Sequence, residues 1–152
     1  MNLSFKVNKP VEAVFEYLAD MQKFVSVHPV IYKMDRLSQN HFKVYETLSL
    51  LFIPVSFTYT ATVDHNAIDR TVVIRATVMK VTKIEMSYKL TSQDGSTIVE
   101  ETLTFKSPLP LKSLMQSIFR SQHTQLFKNI EGDRSGIDRV SSAELLKMNA
   151  SE

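Results

Sequence analysis

The sequence predicts an α+β fold in which a seven-stranded antiparallel sheet covers one long C-terminal helix. From residue 30 to residue 106, apolar and polar residues alternate with a period of two, which is typical of half-buried strands. Short turns separate these segments, and strands joined by short turns are usually antiparallel neighbours. The helix predicted at residues 108–130 has a wide apolar face that needs a large partner, and the sheet is the large element available.

The N-terminal segment predicts one strand and two short helices. Residues 1–7 alternate apolar and polar side chains, as a strand does. Asn8 is a favourable N-cap for a first helix that runs to about Met21. A second short helix or an irregular corner is expected at residues 22–29. His28 precedes a proline, and this position disfavours helical backbone, so the segment should end there.

Six strands are expected to follow as a meander. Their predicted ranges are 30–38, 41–50, 55–64, 70–79, 81–92 and 97–106. The cleanest alternation lies in 55–64, and the strongest turn signal is Gln93-Asp94-Gly95-Ser96. With the N-terminal strand they make seven.

The terminal helix carries apolar residues at three- and four-residue spacing on one face. These are Leu111, Leu114, Met115, Ile118, Phe119, Leu126, Phe127 and Ile130. Pro108 and Pro110 suit its first turn, and Gly132 suits a left-handed cap beyond its end. The resulting division is one domain over residues 1–131 and a polar C-terminal tail over 132–152, with a short helix at 142–148.

Composition excludes several classes of function. The chain has no cysteine, which rules out disulfides and cysteine metal sites and fits a cytoplasmic protein. Only three glycines occur and no phosphate-binding loop is formed, so we expect no nucleotide cofactor and no other cofactor. The net charge of +2 gives no reason to expect nucleic acid. No segment reaches the length of a transmembrane helix, and the four histidines lack metal-ligand spacing.

Two stretches resemble the START-like superfamily, whose members share the helix-grip fold and include the birch-pollen allergen, polyketide cyclases and coenzyme Q-binding proteins. They are PVEAVFEYLADMQKFVSVHPVI at residues 10–31 and GSTIVEETLTFKSPLP at residues 95–110. The resemblance implies a curved sheet that grips the last helix and encloses an apolar cavity. It also implies ligands such as sterols, lipids, quinones or polyketides, with a minority of enzymes. No metal motif, aromatic cage or catalytic set of a subgroup matches residue by residue, and the tryptophan common near the His-Pro corner is absent.

The strand alternation predicts which side chains face such a cavity. The expected ligand-binding residues are Val44, Glu46, Phe57, Tyr59, Met86, Tyr88, Glu101, Leu103, Met115, Phe119 and Gln122. A completely filled interior is the alternative, because protein cores are close-packed by default.

Three titratable residues are the catalytic candidates. Glu46 and Glu101 interrupt otherwise apolar faces, and a buried carboxylate must be paired, hydrated or protonated. His123 lies beside Gln122 and could act as an acid or base at the cavity. In the alternative interpretation, each carboxylate lies at the rim or pairs with a neighbouring side chain.

The apolar loop at residues 51–54 has four alternative interpretations. Through Leu51, Phe52 and Ile53 it could gate the cavity, contact a membrane surface or form a homodimer contact. It could also fold over the end of the core and be buried.

Three functional hypotheses follow from these observations. The leading one is binding or transport of a hydrophobic small molecule between sheet and helix. The second is an enzyme of the polyketide cyclase or dehydratase type that uses a cavity carboxylate with a tyrosine or histidine. The third is a protein-interaction module without a ligand.

Overall fold

A computed structural model of the chain describes residues 1–50 and 52–135. The helices and strands, in chain order, are β1 (Asn2–Val7), α1 (Val11–Ala19), α2 (Met21–Val27), β2 (Ile31–Arg36), β3 (His41–Leu50), β4 (Ile53–Asn66), β5 (Thr71–Val78), β6 (Thr82–Gln93), β7 (Ser96–Lys106) and α3 (Lys112–Gly132). The predicted short helix at 142–148, and all of the tail beyond residue 135, lie outside the described residues.

All seven strands belong to one curved antiparallel sheet with the order β1-β7-β6-β5-β4-β3-β2. Every neighbouring pair is antiparallel, so the predicted meander is confirmed, with β1 returning to pair with β7. The sheet, the two short helices between β1 and β2, and the long C-terminal helix confirm the predicted helix-grip fold.

The two short helices meet at one residue. Asp20 ends α1 and begins α2, and its Oδ1 accepts hydrogen bonds from the backbone N–H groups of Gln22 and Lys23 at 2.9 and 3.2 Å. This cap explains why α1 stops at Ala19, two residues before the predicted end. The predicted N-cap at Asn8 is wrong, because the helix is preceded by Pro10 and has no side-chain cap.

Both predicted ends of the C-terminal helix are corrected by the structure. Helix α3 begins at Lys112 rather than at Pro108. Pro110 disfavours helical backbone at Leu109, so the four residues before Lys112 form a turn instead. Gly132 is the last helical residue and does not form a left-handed cap, since Asp133 ends the helix in an extended conformation.

Strands β3 and β4 extend beyond the rest of the sheet as a two-stranded arm. The structure begins β4 at Ile53, so the predicted loop at 51–54 is too long; Leu51 itself is not among the described residues. Pairing of β3 with β2 ends at Glu46, and pairing of β4 with β5 starts at Thr60. Residues 47–50 and 52–56 are called the β3–β4 arm below; within the part of the chain that the structure describes, 47–50 pair only with 53–56, apart from one backbone bond to Val30.

The core lies between the concave face of the sheet, helices α1 and α2, and the C-terminal half of α3. Its most completely buried apolar residues are Val7, Val14, Leu18, Val72, Val99, Leu126 and Ile130. Helix α3 is asymmetric: His123, Leu126, Phe127 and Ile130 are buried, but residues 112–114 at its start are exposed. Within the described residues, no helix is long and apolar enough to cross a membrane.

Candidate functional site

A cavity lies between the concave face of the sheet, the α2–β2 corner and the middle of α3. It is lined by Phe24, His28, Ile31, Met34, Val44, Glu46, Tyr59, Ala61, Ile74, Ala76, Ile84, Met86, Phe119, Gln122 and His123. The space between atoms totals about 500 Å³ when its open mouth is included, but only about 30 Å³ is wide enough to hold water. The second figure describes the room available to a guest, because the first counts narrow gaps and open solvent.

The predicted ligand-binding residues divide into three groups. Six of them line the cavity: Val44, Glu46, Tyr59, Met86, Phe119 and Gln122. Tyr88, Glu101 and Leu103 are fully buried in the core behind the lining. Phe57 and Met115 are partly exposed and do not line the cavity; the phenyl ring of Phe57 instead stacks on Tyr59 with centroids 5.9 Å apart.

Several lining residues were not among the predicted site residues. His28 is the most informative of them, because the sequence placed it at a corner without a role. Only the position of His28 in the family-like His-Pro corner could have indicated that it faces the cavity. Ala61, Ile74 and Ala76 also line the cavity and were not among the predicted site residues.

Glu101 and His123 form a hydrogen-bonded pair inside the core. Glu101 Oε1 lies 2.6 Å from His123 Nδ1, and both side chains are almost completely shielded from solvent. An ionised carboxylate can only accept hydrogen bonds, so with Glu101 ionised Nδ1–H is the donor. This arrangement fixes the orientation of the ring and leaves Nε2 as the imidazole atom available for other contacts. The second carboxylate oxygen, Oε2, has no hydrogen-bond partner among the described residues.

Glu46 and Tyr59 form a second polar pair on the cavity wall. The Tyr59 hydroxyl donates to Glu46 Oε2 at 2.7 Å. Burial raises the pKa of the Glu46 carboxyl, and the Tyr59 hydrogen bond and the nearby His123 oppose this change. Burial also raises the pKa of Tyr59 well above its usual value, so the phenol keeps its proton and remains a donor.

His28 contributes a neutral imidazole to the same space. Its Nδ1 accepts hydrogen bonds from the backbone N–H groups of Val30 and Ile31 at 3.3 and 3.0 Å. Nδ1 is therefore unprotonated, and the proton of the neutral ring is on Nε2. Burial, with a smaller contribution from His123, lowers the pKa of His28 to about 3.

Tyr88 completes the polar cluster from within the core. It is fully buried and faces Glu101 across the β6–β7 pair. Burial raises the pKa of its phenol, and the negative charge of Glu101 acts in the same direction. The cluster thus combines two carboxyl groups, two phenols and two imidazoles. Its members on the cavity wall, which can hydrogen-bond a guest and exchange protons with it, are His28, Glu46, Tyr59 and His123. Among the described residues, no group of three or more His, Cys, Asp or Glu side chains could hold a metal ion.

Solved structures share this fold at low sequence identity. A START superfamily protein from Mycobacterium smegmatis superposes with a TM-score of 0.71 at 14% identity, covering 87% of this chain and 94% of that one. The structure of Ara h 8.0201 gives 0.67 at 19% identity, covering 87% and 94%. The Zhui aromatase/cyclase from Streptomyces sp. R1128 gives 0.66 at 14% identity, covering 87% and 90%.

Comparisons of sequence identify the family. No curated protein sequence matches the chain. The sequence profile described as "Polyketide cyclase / dehydrase and lipid transport" matches residues 1–131. Because the profile spans nearly all of the described chain, the protein belongs to the polyketide cyclase / dehydrase and lipid transport family.

Proposed function

We propose that the protein binds or carries a hydrophobic small molecule that bears at least one polar group. The observation that carries this proposal is the composition of the cavity wall, which is apolar except for a few convergent polar side chains. Small-molecule sites typically combine such apolar walls with a few well-placed hydrogen-bonding groups. Burial of the ligand's apolar surface would supply most of the affinity, and the polar groups would orient it.

The narrowness of the cavity makes ligand binding depend on movement of its wall. Drug-sized ligands occupy sites of about 300–1,000 Å³, whereas only about 30 Å³ is wide enough here. The first turns of α3 are largely exposed, so few contacts oppose their displacement. Met86 and Phe119 line the cavity as well, and the flexible Met86 side chain can adopt other rotamers at low cost. We therefore expect a ligand to enter by moving Phe119 and the start of α3.

The polar groups differ in their availability to a ligand. The Tyr59 hydroxyl already donates to Glu46. Gln122 and His123 line the cavity, and the hydrogen bond of His123 is made through Nδ1. The carboxamide of Gln122 and Nε2 of His123 are therefore the groups that we assign to ligand orientation.

Filling the cavity tests the proposal. Native mass spectrometry of the purified protein should show a retained small molecule, and titration with the apolar fluorophore 1-anilinonaphthalene-8-sulfonate should show saturable binding. Ala76 lines the cavity and is buried, so Ala76→Leu should fill the space and weaken both signals. Phe57 and Met115 lie off the lining, and Met115→Leu serves as the matched control. Undiminished binding in Ala76→Leu would count against the cavity as the site.

An acid–base enzyme is the second candidate, and the Glu101–His123 hydrogen bond favours it. A carboxylate that holds Nδ1 of a histidine orients Nε2 for proton transfer, and general acid–base catalysis typically contributes 10²–10⁴-fold to a rate. A carrier releases its ligand unchanged, whereas an enzyme releases an altered molecule. Mass spectrometry of a retained ligand before and after incubation separates these outcomes. His123→Gln should slow conversion by about 10²–10⁴-fold if the protein is an enzyme.

A further inference from the structure

Three chain connections lie at the same end of the sheet and are called the apolar end below; the tip of the β3–β4 arm projects beyond the other two. They are the tip of the β3–β4 arm (52–55), the β5–β6 turn (79–81) and the segment leading into α3 (109–114). The strand order places β7, β6, β5, β4 and β3 side by side, so these connections are successive neighbours. A hydrogen bond of 2.9 Å between the hydroxyl groups of Thr82 and Ser107 links residues that flank the second and third connections.

The apolar end exposes large hydrophobic side chains on all three connections. They are Phe52, Ile53, Val55, Met79, Val81, Leu109, Leu111 and Leu114. Phe52 is completely exposed and Met79 is 75% exposed. Single exposed apolar residues are ordinary, but eight of them on three loops at one end of the sheet indicate an interaction surface.

Backbone conformation indicates independently that the exposed apolar side chains at this end do not stabilise their own turns. Phe52, Met79 and Lys80 all have positive φ angles, of 69°, 53° and 62°. Turns of this conformation favour Gly, Asn or Asp, because a Cβ atom is disfavoured there. At the opposite end, the β6–β7 turn uses Asp94 and Gly95 as expected, and Arg70, with a φ of 52°, forms an ion pair with Glu12. The side chains of Phe52 and Met79 are exposed, so buried contacts do not offset their unfavourable backbone conformation.

The charge around the apolar end has one sign. Segments 47–57, 78–83 and 105–115 contain four lysines and no acidic residue. The lysines are Lys80, Lys83, Lys106 and Lys112, and all four are exposed. Exposed apolar side chains with lysines on two of the three connections match the boundary between the headgroups and acyl chains of an anionic bilayer.

We propose that the apolar end docks onto the surface of an anionic phospholipid bilayer. Phe52 and Met79 would insert into the boundary between headgroups and acyl chains, and the four lysines would contact lipid phosphates. A symmetric contact with a second copy would place these lysines against one another, so charge disfavours that occupant.

The cavity lies near the apolar end of the sheet. The lining residues Ala76 and Ile84 lie close to the β5–β6 turn, and Phe119 lies two turns into α3. The cavity therefore lies behind the apolar end, and a docked protein would hold it next to the membrane. Docking goes beyond the proposed ligand binding, and it can be measured without any ligand.

Sedimentation with vesicles tests the proposal. The full chain is mixed with vesicles of phosphatidylcholine alone, or of phosphatidylcholine with phosphatidylglycerol. The test variant is Phe52→Asn/Met79→Asn, which suits the positive φ angles and should preserve folding. We expect binding to the anionic vesicles only, decreasing with salt, and a loss of about tenfold or more in the variant because two large apolar side chains no longer insert.

Matched controls identify the surface. Ile68→Asn removes an apolar side chain that is 93% exposed at the opposite end of the sheet and should leave binding unchanged. Lys80→Gln/Lys112→Gln should weaken binding and reduce its salt dependence, whereas Lys6→Gln/Lys128→Gln should not. The proposal is overturned if the wild-type protein ignores anionic vesicles, or if the Asn variant binds as well as the wild type. A dimer in sedimentation velocity that Phe52→Asn/Met79→Asn dissociates, without vesicle binding, would assign the surface to a second copy instead.

Discussion

His123 Nδ1 and Glu101 Oε1 lie 2.6 Å apart in a part of the core that is closed to solvent. The two residues come from the middle of α3 and from β7, and their contact ties the helix to the sheet. Burying two hydrogen-bonded titratable groups at this depth costs desolvation free energy that their mutual attraction roughly balances. Because such a pair adds little net stability, we expect it to serve structural specificity or function. Its coupling free energy can be measured.

A double-mutant cycle on this pair should show strong coupling. We expect Glu101→Leu and His123→Leu each to lower the free energy of unfolding by about 3 kcal/mol, because each leaves the other group buried and unpaired. The double variant should be within about 1 kcal/mol of the wild type, since no buried charge remains. Urea unfolding at pH 7 measures all four proteins. Additive losses in the double variant would mean that the pair is not coupled.

The low pKa of His28 predicts a loss of stability in mild acid. The folded-state pKa is about 3, below the unfolded value of 6.5, so below pH 6.5 the unfolded chain binds a proton that the folded chain does not. Stability should therefore be complete above pH 6.5 and decrease as the pH falls toward 3. A full shift corresponds to about 1.4 kcal/mol per pH unit. Because His28 keeps some solvent exposure, we expect about 1 kcal/mol per unit between pH 6.5 and 5.

His28→Asn isolates this contribution. The Asn side-chain oxygen can accept the same backbone hydrogen bonds but does not titrate. Urea unfolding at several pH values should show a flatter pH dependence in the variant than in the wild type. His41→Asn changes an exposed histidine and should keep the wild-type slope. Equal slopes in the wild type and His28→Asn would show that His28 is not the responsible group.

The sheet could be predicted because its signals are local. The alternation of residues 55–64 fixes which side chains share a face, and the short turns fix the neighbours of each strand. The alternation also places Glu101 inward and Glu100 outward, and in the structure Glu101 is buried and Glu100 exposed. Element ends were less predictable. Several polar or proline residues could have ended or begun these helices. The tertiary structure determines that the cap forms at Asp20 and that a turn precedes Lys112.

The polar cluster of the site could be predicted only in part. Glu46, Glu101 and His123 stood out as polar residues on apolar faces, but their partners are set by tertiary contacts. His28 and His123 are 95 residues apart in sequence, yet their ring centroids are 6.5 Å apart. The width of the cavity depends on side-chain rotamers, for which the sequence pattern carries no information.

Removal of the Tyr59 hydroxyl should destabilise the protein at neutral pH. Glu46 would lose its hydrogen-bond donor, and the pKa of its carboxyl should rise further because that bond lowers it. We expect Tyr59→Phe to cost about 1–2 kcal/mol at pH 7. A carboxyl with a raised folded-state pKa is less unfavourable once it is protonated, so the cost should shrink as the pH falls through the titration of Glu46.

Tyr45→Phe is the matched control for this prediction. The Tyr45 hydroxyl donates to Asp35 at 3.0 Å, but that carboxylate is exposed and can be hydrated when the phenol is removed. A loss of less than about 0.5 kcal/mol is expected. Urea unfolding at pH 7 and in acid, with a carbon-detected NMR titration of Glu46, measures both effects. A pH-independent cost in Tyr59→Phe would indicate lost packing rather than a changed carboxyl pKa.

The two halves of α3 should respond differently to the same truncation. Leu126 is fully buried against the sheet, whereas Leu114 is 51% exposed in the first turn of the helix. Leu126→Ala should cost about 3–4 kcal/mol, since it removes buried contacts and leaves a cavity. Leu114→Ala should cost less than about 0.5 kcal/mol. Hydrogen exchange should be faster in residues 112–118 than in 123–130, because locally exposed segments open more readily. A start of α3 that exchanges as slowly as its end would argue against ligand entry through movement of that segment.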